Sequence, residues 1–191
     1  MSVDARVTRS RAAVVRAATD LLVDGGPTAV TVDAIVARSG VAKSTIYRHW
    51  DSRDDILLDV ITNCAPTLTE PDPDLGFVTA LQLVLGEIAA ALTDPEWNRV
   101  FPALLTLRNH EDGVAHIEQQ LEARQERVVD AVLKRGIEEG AVRADVDLDQ
   151  AGALLVGPLL FANLVGKPAL DRYMVDRVIE SFLALNGTDR R

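Results

Sequence analysis

Apolar residues along this 191-residue chain recur at helical spacing, and no stretch shows the two-residue alternation of a half-buried strand. Residues 1–8 read as a loose arm. From Arg9 onward, Val14, Ala17, Ala18, Leu21 and Leu22 form the stripe of an amphipathic helix, which Gly25-Gly26-Pro27 should end. Thr31 is a good N-cap for a second helix with Val32, Ile35 and Val36 on one face, stopping at Ser39-Gly40. A third, equally short segment follows over 43–49. Ser52-Arg53-Asp54-Asp55 then has the form of a capping box, followed by the inward stripe Ile56, Leu57, Val60 and Ile61.

Pro66 and Glu70-Pro71-Asp72-Pro73-Asp74 make a turn-rich break. Beyond it the pattern predicts five more helices, over about 75–92, 95–108, 113–139, from Asp147 or Asp149 to about 165, and 168–185. Their inward residues include Leu81, Val84, Leu85, Ile88 and Leu92 in the first. Trp97, Phe101, Leu104 and Leu105 serve the second, and Val114, Ile117, Leu121, Val128 and Val132 the third. Gly140 and Asn186-Gly187 are the expected stops of the third and last. The fold class is all-α, about nine helices. A domain over 1–51, with its signature extending to about 63, precedes a helical body over 52–191.

Composition agrees with that reading. Apolar residues are 48% of the chain and aromatics 4%, so Ala, Val and Leu supply a core better suited to packed helices than to a β-sandwich. The single cysteine, Cys64, allows no internal disulfide and argues against a thiolate metal site. No signal peptide is visible, and the apolar run over 151–165, broken by Gly157, Pro158 and Asn163, falls short of the ~20 residues of a membrane span. A cytoplasmic location is expected.

A net charge of −9 argues against a polyanionic partner until its distribution is examined. Residues 1–50 carry seven basic side chains against four Asp, a net of +3, whereas residues 51–191 carry a net of −12. A basic end on an acidic body suits a chain in which one region alone approaches phosphates.

Helices two and three, short and joined by a glycine turn, need the first helix as a floor. Val14, Ala18, Leu21, Ile35, Val36, Val41 and Ile46 are the expected core of that three-helix unit. The second short helix of such a unit lies in the major groove. With Ile46 inward, Lys43, Ser44, Thr45, Tyr47, Arg48 and His49 remain outside. Small hydroxyls permit close approach, a guanidinium pairs with guanine O6 and N7, and a phenol donates to a phosphate.

The run from Thr31 to Leu57 resembles the signature of the tetracycline-repressor (TetR) family. The likeness lies in a Thr-led second helix, a Gly-Val turn, the sequence Thr45-Ile46-Tyr47-x-His49-aromatic, and Ser52-basic-acid-acid-aliphatic-Leu. It covers about residues 9–63. Trp50 stands where Phe is more usual and Arg53 where Lys is common. The resemblance implies that Ser44, Thr45, Tyr47 and His49 touch the DNA backbone, that Arg48 reads bases and that Arg53 meets a phosphate. With Arg9, Thr31 and Lys43 these form the candidate DNA-binding set. Plainer readings stand beside these: Tyr47 and Trp50 as core aromatics, His49 as an ordinary surface imidazole.

Nothing in the chain supports catalysis, since no nucleophile elbow or glycine-rich phosphate loop is present. His110 and His116, six residues apart beside Glu111, Asp112 and Glu118, do not share a helical face and read as a solvated stretch. No metal and no cofactor is expected.

The run over 151–165 is apolar nearly all round and needs cover on two sides. A homodimer built as a four-helix bundle would supply it, with Leu155, Leu159, Phe161, Ala162, Met174, Val178 and Phe182 as the candidate interface; a fully internal core is the alternative. By resemblance, the helices over 75–139 enclose a ligand pocket lined by some of Trp97, Phe101, Leu104, Leu105, Val128 and Val132. The implied partners are double-stranded DNA with a near-palindromic operator, a second copy of the chain and an unknown small-molecule effector, with no membrane. The implied function is a repressor released from its operator by that effector. The alternative is an effector-independent DNA-binding dimer whose C-terminal body serves only dimerisation or protein contacts.

Overall fold

The computed structural model describes residues 3–64, 67–107 and 127–188, with the side chains of 3–6 and 103–107 left aside. Nine α-helices and one 3-10 turn are found among the described residues, with no β-strand. They are α1 (Val3–Gly25), α2 (Val32–Ser39), α3 (Lys43–Ile46), α4 (Arg53–Cys64), α5 (Phe77–Thr93), α6 (Pro95–Leu107), α7 (residues 127–138), α8 (Leu148–Val165) and α9 (Arg172–Asn186). The described residues of 1–65 and 96–121 make one compact unit, and those of 66–95 and 122–191 make another.

In the first unit α1 is the floor on which α2 and α4 pack. It begins at Val3, so the loose arm expected over 1–8 is helical from its third residue. The reason is local: Asp4 to Arg9 contains neither Gly nor Pro, so nothing halts propagation toward the N-terminus. Val14, Ala17, Ala18 and Leu22 are buried with Ile35, Ile46, Ile56, Leu57, Val60 and Ile61. Leu21, Val36 and Val41, expected in that core, are half-buried at its margin.

Caps fix where the short helices begin and end. The Thr31 hydroxyl accepts from the Ala34 N–H at 3.1 Å, so α2 starts one residue later. Gly40 adopts φ 69°, a left-handed conformation that suits a residue without Cβ, and its N–H closes α2 on Val36. Ser39 Oγ then accepts from the Val41 N–H at 3.1 Å and tightens the turn into α3. The capping box before α4 is reciprocal. Asp55 accepts from the Ser52 N–H at 2.8 Å, and the Asp55 N–H donates to Ser52 Oγ at 3.2 Å.

In the second unit α5 packs on both α8 and α9, which also pack on each other. Phe77, Ala80, Leu81, Val84, Leu85, Ala89 and Leu92 fill the inward face of α5, while Ile88 is half-buried. The N-terminus of α5 is clamped by α7. Glu139, just past α7, accepts from the Phe77 N–H at 3.0 Å, and Arg135 donates to the carbonyls of Asp72 and Leu75 at 3.1 and 2.9 Å. At the other end of α5 the Asn163 amide donates to the Leu92 carbonyl at 2.6 Å. Gly140, at φ 67°, terminates α7 as its sequence position predicts. The remainder of the long helix expected over 113–139, with His110 and His116, lies outside the described residues.

Of the next two helix starts, that of α9 differs from the sequence reading and that of α8 agrees with it. Helix α9 starts at Arg172 and not at Pro168, because the Asp171 carboxylate accepts from the Met174 N–H at 2.9 Å and caps it there. Helix α8 is capped by Asp147, whose carboxylate accepts from the Gln150 N–H at 3.0 Å. By length and composition alone α8 could cross a bilayer, with a mean hydropathy of 1.5 over 18 residues, of which 22% are buried.

The expected interface residues divide by burial. Leu155, Leu159, Ala162, Val178 and Phe182 are spent inside the chain's own core and have no surface to offer a partner. Of the seven residues expected, Phe161 is 64% exposed and Met174 half-buried. The outward apolar residues on these two helices are Leu154, Phe161, Leu164 and Val165 on α8, and Tyr173 and Leu185 on α9. A helix apolar on every side gives no pattern by which to tell its inner stripe from its outer one.

Candidate nucleic-acid interface

Four residues of regular helix carry the candidate reading element, and the backbone continues in helical turns beyond them. The N–H groups of Tyr47, Arg48 and His49 bond to the carbonyls of Lys43, Thr45 and Ile46 at 3.1, 3.3 and 2.9 Å. The whole of 43–49 is therefore one short rod, as the sequence reading has it, tightening toward its C-terminal end. Two apolar side chains anchor it. Ile46 is fully buried, and Trp50, just past the end, is 4% exposed.

With those two inward, the polar side chains have nowhere to go but out. Lys43, Ser44, Arg48 and His49 are exposed, Thr45 is half-buried, and Tyr47 has half its surface open. Of the plainer readings, the core-aromatic one fits Trp50 and not Tyr47. Arg9 on α1 is exposed, as is Thr31, whose hydroxyl is also engaged as the α2 cap.

Lys43 and Arg53, both expected cations, have partners within the protein. Lys43 Nζ donates to Asp33 in the first turn of α2 at 2.7 Å, and this hydrogen bond, with the carboxylate's charge, raises the ammonium's pKa. Arg53 turns inward: Nε donates to the Val30 carbonyl at 2.7 Å and Nη2 to the Pro27 carbonyl. The Arg53 guanidinium thus holds the turn between α1 and α2, with its own Asp54 at 3.6 Å.

A cluster not foreseen in the sequence lies behind the rod. Asp59 on α4 accepts from the Trp50 indole N–H at 2.8 Å, and from Arg11 Nε and Nη2 on α1 at 3.0 and 2.7 Å. The Arg11 guanidinium also stands 5.9 Å from the Trp50 ring centroid, and the hydrogen bond from Arg11 to Asp59, then its charge, raises the guanidinium's pKa further. His49 meets the same indole edge-on at 5.7 Å. A signal for this was present. A buried Trp needs an acceptor for its N–H, and Asp59 interrupts the apolar stripe of α4.

The candidate pocket residues are placed as follows. Trp97 and Phe101 on α6 form a tilted ring pair at 5.6 Å. Val128 and Val132 are buried on α7. The side chains of Leu104 and Leu105 lie outside the described residues.

Comparison with known proteins places both parts of the chain. Residues 14–60 match the family described as bacterial regulatory proteins, tetR family. Residues 73–182 match the family described as tetracyclin repressor-like, C-terminal domain. The HTH-type transcriptional regulator YdeS of Bacillus subtilis (strain 168) is 31% identical over 180 residues, 92% of this chain and 89% of YdeS. Two solved structures share the fold. One is the flavonoid-responsive regulator FrrA, with TM-score 0.74 and 20% identity, covering 96% of this chain and 100% of that one. The other is SmeT, the repressor of the Stenotrophomonas maltophilia multidrug efflux pump SmeDEF. Its TM-score is 0.69 at 15% identity, covering 94% of this chain and 91% of that one.

Proposed function

Because the chain belongs to the tetracycline-repressor family of DNA-binding transcriptional regulators, we propose that it is a repressor that grips a near-palindromic operator as a homodimer and lets go when a small molecule binds its C-terminal body. The observation that carries the DNA-reading half is the division of side chains over 43–50. Ile46 and Trp50 are sealed in, while Lys43, Ser44, Tyr47, Arg48 and His49 are offered to solvent from one short rod.

On that reading the side chains divide by chemistry. Arg48, exposed on the rod, is the base reader, suited to a bidentate pair with guanine worth ~1–3 kcal/mol of discrimination. Tyr47, Ser44, Thr45 and His49 hold phosphates and fix the register. Lys43 exchanges Asp33 for a phosphate, and Arg9 adds charge from α1. Arg53 supports the α1–α2 turn.

One rod reads too few base pairs for a specific site, so two must act together. Support for the second copy comes from α8, an 18-residue apolar helix with only 22% of its residues buried. Phe161, Leu164, Val165, Tyr173 and Leu185 are the apolar residues that a partner would cover. The DNA-reading domain is 1–51, and the body over 52–191 dimerises and takes the effector. A ligand there can release DNA only by preferring one spacing of the two heads. The descriptions of FrrA as flavonoid-responsive and SmeT as an efflux-pump repressor favour a small organic effector. The protein is expected to act in the cytoplasm.

The test is selection of bound duplexes from a random pool at fixed ionic strength, because affinity falls steeply with salt. Paired half-sites about one helical turn apart, or a multiple of it, support the reading; a pool without them defeats it. Once the operator is in hand, apolar and cationic small molecules are screened for those that weaken it. An operator indifferent to every compound that shifts the protein's melting temperature defeats the effector half alone.

A further inference from the structure

The rod over 43–49 is too short to hold its own angle, and beside the buried Ile46 and Trp50 its far end is tied to α1 and α4 through one carboxylate. Asp59 accepts the Trp50 indole N–H at 2.8 Å and a two-pronged guanidinium from Arg11 at 3.0 and 2.7 Å. Those three residues stand on three separate elements: the segment that ends the rod, α4 and α1. Trp50 is nearly sealed, and its backbone N–H is itself tied to the Ile46 carbonyl at 3.1 Å. A displacement of the indole is therefore passed directly to the last turn of the rod. The Asp59 side chain is 16% exposed, so its bonds are shielded from most of the competing water.

We propose that Asp59 is a positioning residue for sequence reading: by holding Trp50 and Arg11 together it sets the pitch of the rod against α1, and so governs operator affinity without itself touching DNA. The inference rests on the rod being the DNA-reading element. Its physical content is a separation of two affinities. Phosphate contacts tolerate a small rotation of the rod, because long side chains and water can follow. Bidentate contacts to base edges do not. Loosening the carboxylate should therefore cost operator binding and spare binding to unrelated duplex. Neutralising Asp59 also frees the Arg11 charge, which holds non-specific affinity level or raises it.

The test uses the full chain, the selected operator and an unrelated duplex. Trp50→Phe removes the indole N–H while keeping an aromatic ring, and Asp59→Asn removes the charge while keeping the shape. Each is expected to weaken operator binding about tenfold, the worth of one charge-assisted hydrogen bond, and to leave the unrelated duplex within about twofold or tighter. The double variant should fall within about threefold of the weaker single, because the two changes break one shared bond. The separation of the two duplexes is what a merely structural role would not produce, and a spectroscopic signature reports the bond itself. Of the two indole N–H resonances, the one absent from Trp50→Phe should move in Asp59→Asn and exchange with solvent faster. Unchanged operator affinity in Trp50→Phe, multiplicative losses in the double variant, or equal losses on both duplexes would overturn the proposal. Arg48→Ala, measured alongside, keeps the two failures apart. If it loses base preference while Trp50→Phe does not weaken binding, only the positioning role falls. If Arg48→Ala and Tyr47→Phe both bind every duplex as the parent protein does, the rod is not the reading element.

Discussion

Lys43 and Asp33 meet at 2.7 Å, so the first cation of the proposed reading rod is paired with an acid on the first turn of the preceding helix. Both side chains are largely in solvent, where such a pair adds little to folding. Its consequence is for binding. Phosphate and carboxylate compete for the same ammonium, and the acid stands where a polyanion would approach. Asp33→Asn is therefore expected to tighten binding to unrelated duplex several-fold, with little change in melting temperature, and to steepen the dependence of log affinity on log salt by about one. Lys43→Ala should do the reverse, weakening all sequences alike. Salt titrations on one non-specific duplex decide both.

Arg48 and Tyr47 are neighbours with different expected tasks, and single substitutions should separate them. Arg48→Ala should relax preference at one position of each half-site, at a cost of about 1–3 kcal/mol on the favoured base. Tyr47→Phe removes one phenolic donor and should weaken every duplex by a similar factor. The measurement is a competition series over single-base variants of the selected site. Identical base preferences in Arg48→Ala and the parent protein would remove Arg48 from base reading.

Gly136 on α7 faces the Phe77 ring so closely that a Cβ there would stand 2.7 Å from both Cδ2 and Cε2. Phe77 is 1% exposed and its N–H is held by Glu139, so the ring has little room to withdraw. Gly136→Ala should destabilise the chain by about 1–3 kcal/mol, the usual cost of overpacking, despite the better helix propensity of Ala. Adding Phe77→Leu should recover part of the loss. Denaturant unfolding of the two single variants and the double would check this, and full additivity would show that the clash is not shared.

Phe161 and Leu155 lie on the same helix with opposite prospects. Phe161→Glu, on the open side, should leave the helical signal intact and shift sedimentation toward the single chain. Leu155→Ala, on the sealed side, should cost about 2–5 kcal/mol of stability whatever the state of assembly. Sedimentation velocity with thermal melts distinguishes them. A Phe161→Glu protein that remained dimeric would move the interface elsewhere.

The contrast between Leu155 and Phe161 also shows where sequence reasoning stops. Features set by a residue and its near neighbours were legible. Thr31 caps α2, Ser52 and Asp55 form a reciprocal box, and Gly40 closes the turn. Ile46 was recognisable as the buried anchor because its neighbours are polar. Features set by distant partners were not. Arg53 looks like a surface cation until the carbonyls of Pro27 and Val30 come within its reach. Asp59 looks like a helix acid until Arg11, 48 positions earlier, folds beside it. On α8 every face is apolar, so the periodicity that sorts inside from outside on α2 carries no information there. Pro168 was a plausible start for α9, but Asp171 outcompetes it by offering a carboxylate to the Met174 N–H.

The open flank of α8 has a bearing on dosage. A lone subunit leaves Phe161, Leu164 and Val165 wet, so pairing should be driven by concentration like any bimolecular step. Where subunits are scarce, paired molecules then grow as the square of the amount made, and so does occupancy of a site that accepts only pairs. On the proposed reading, a given rise in expression would then change occupancy of the operator more steeply than at a site that accepts single chains, before any effector enters the account.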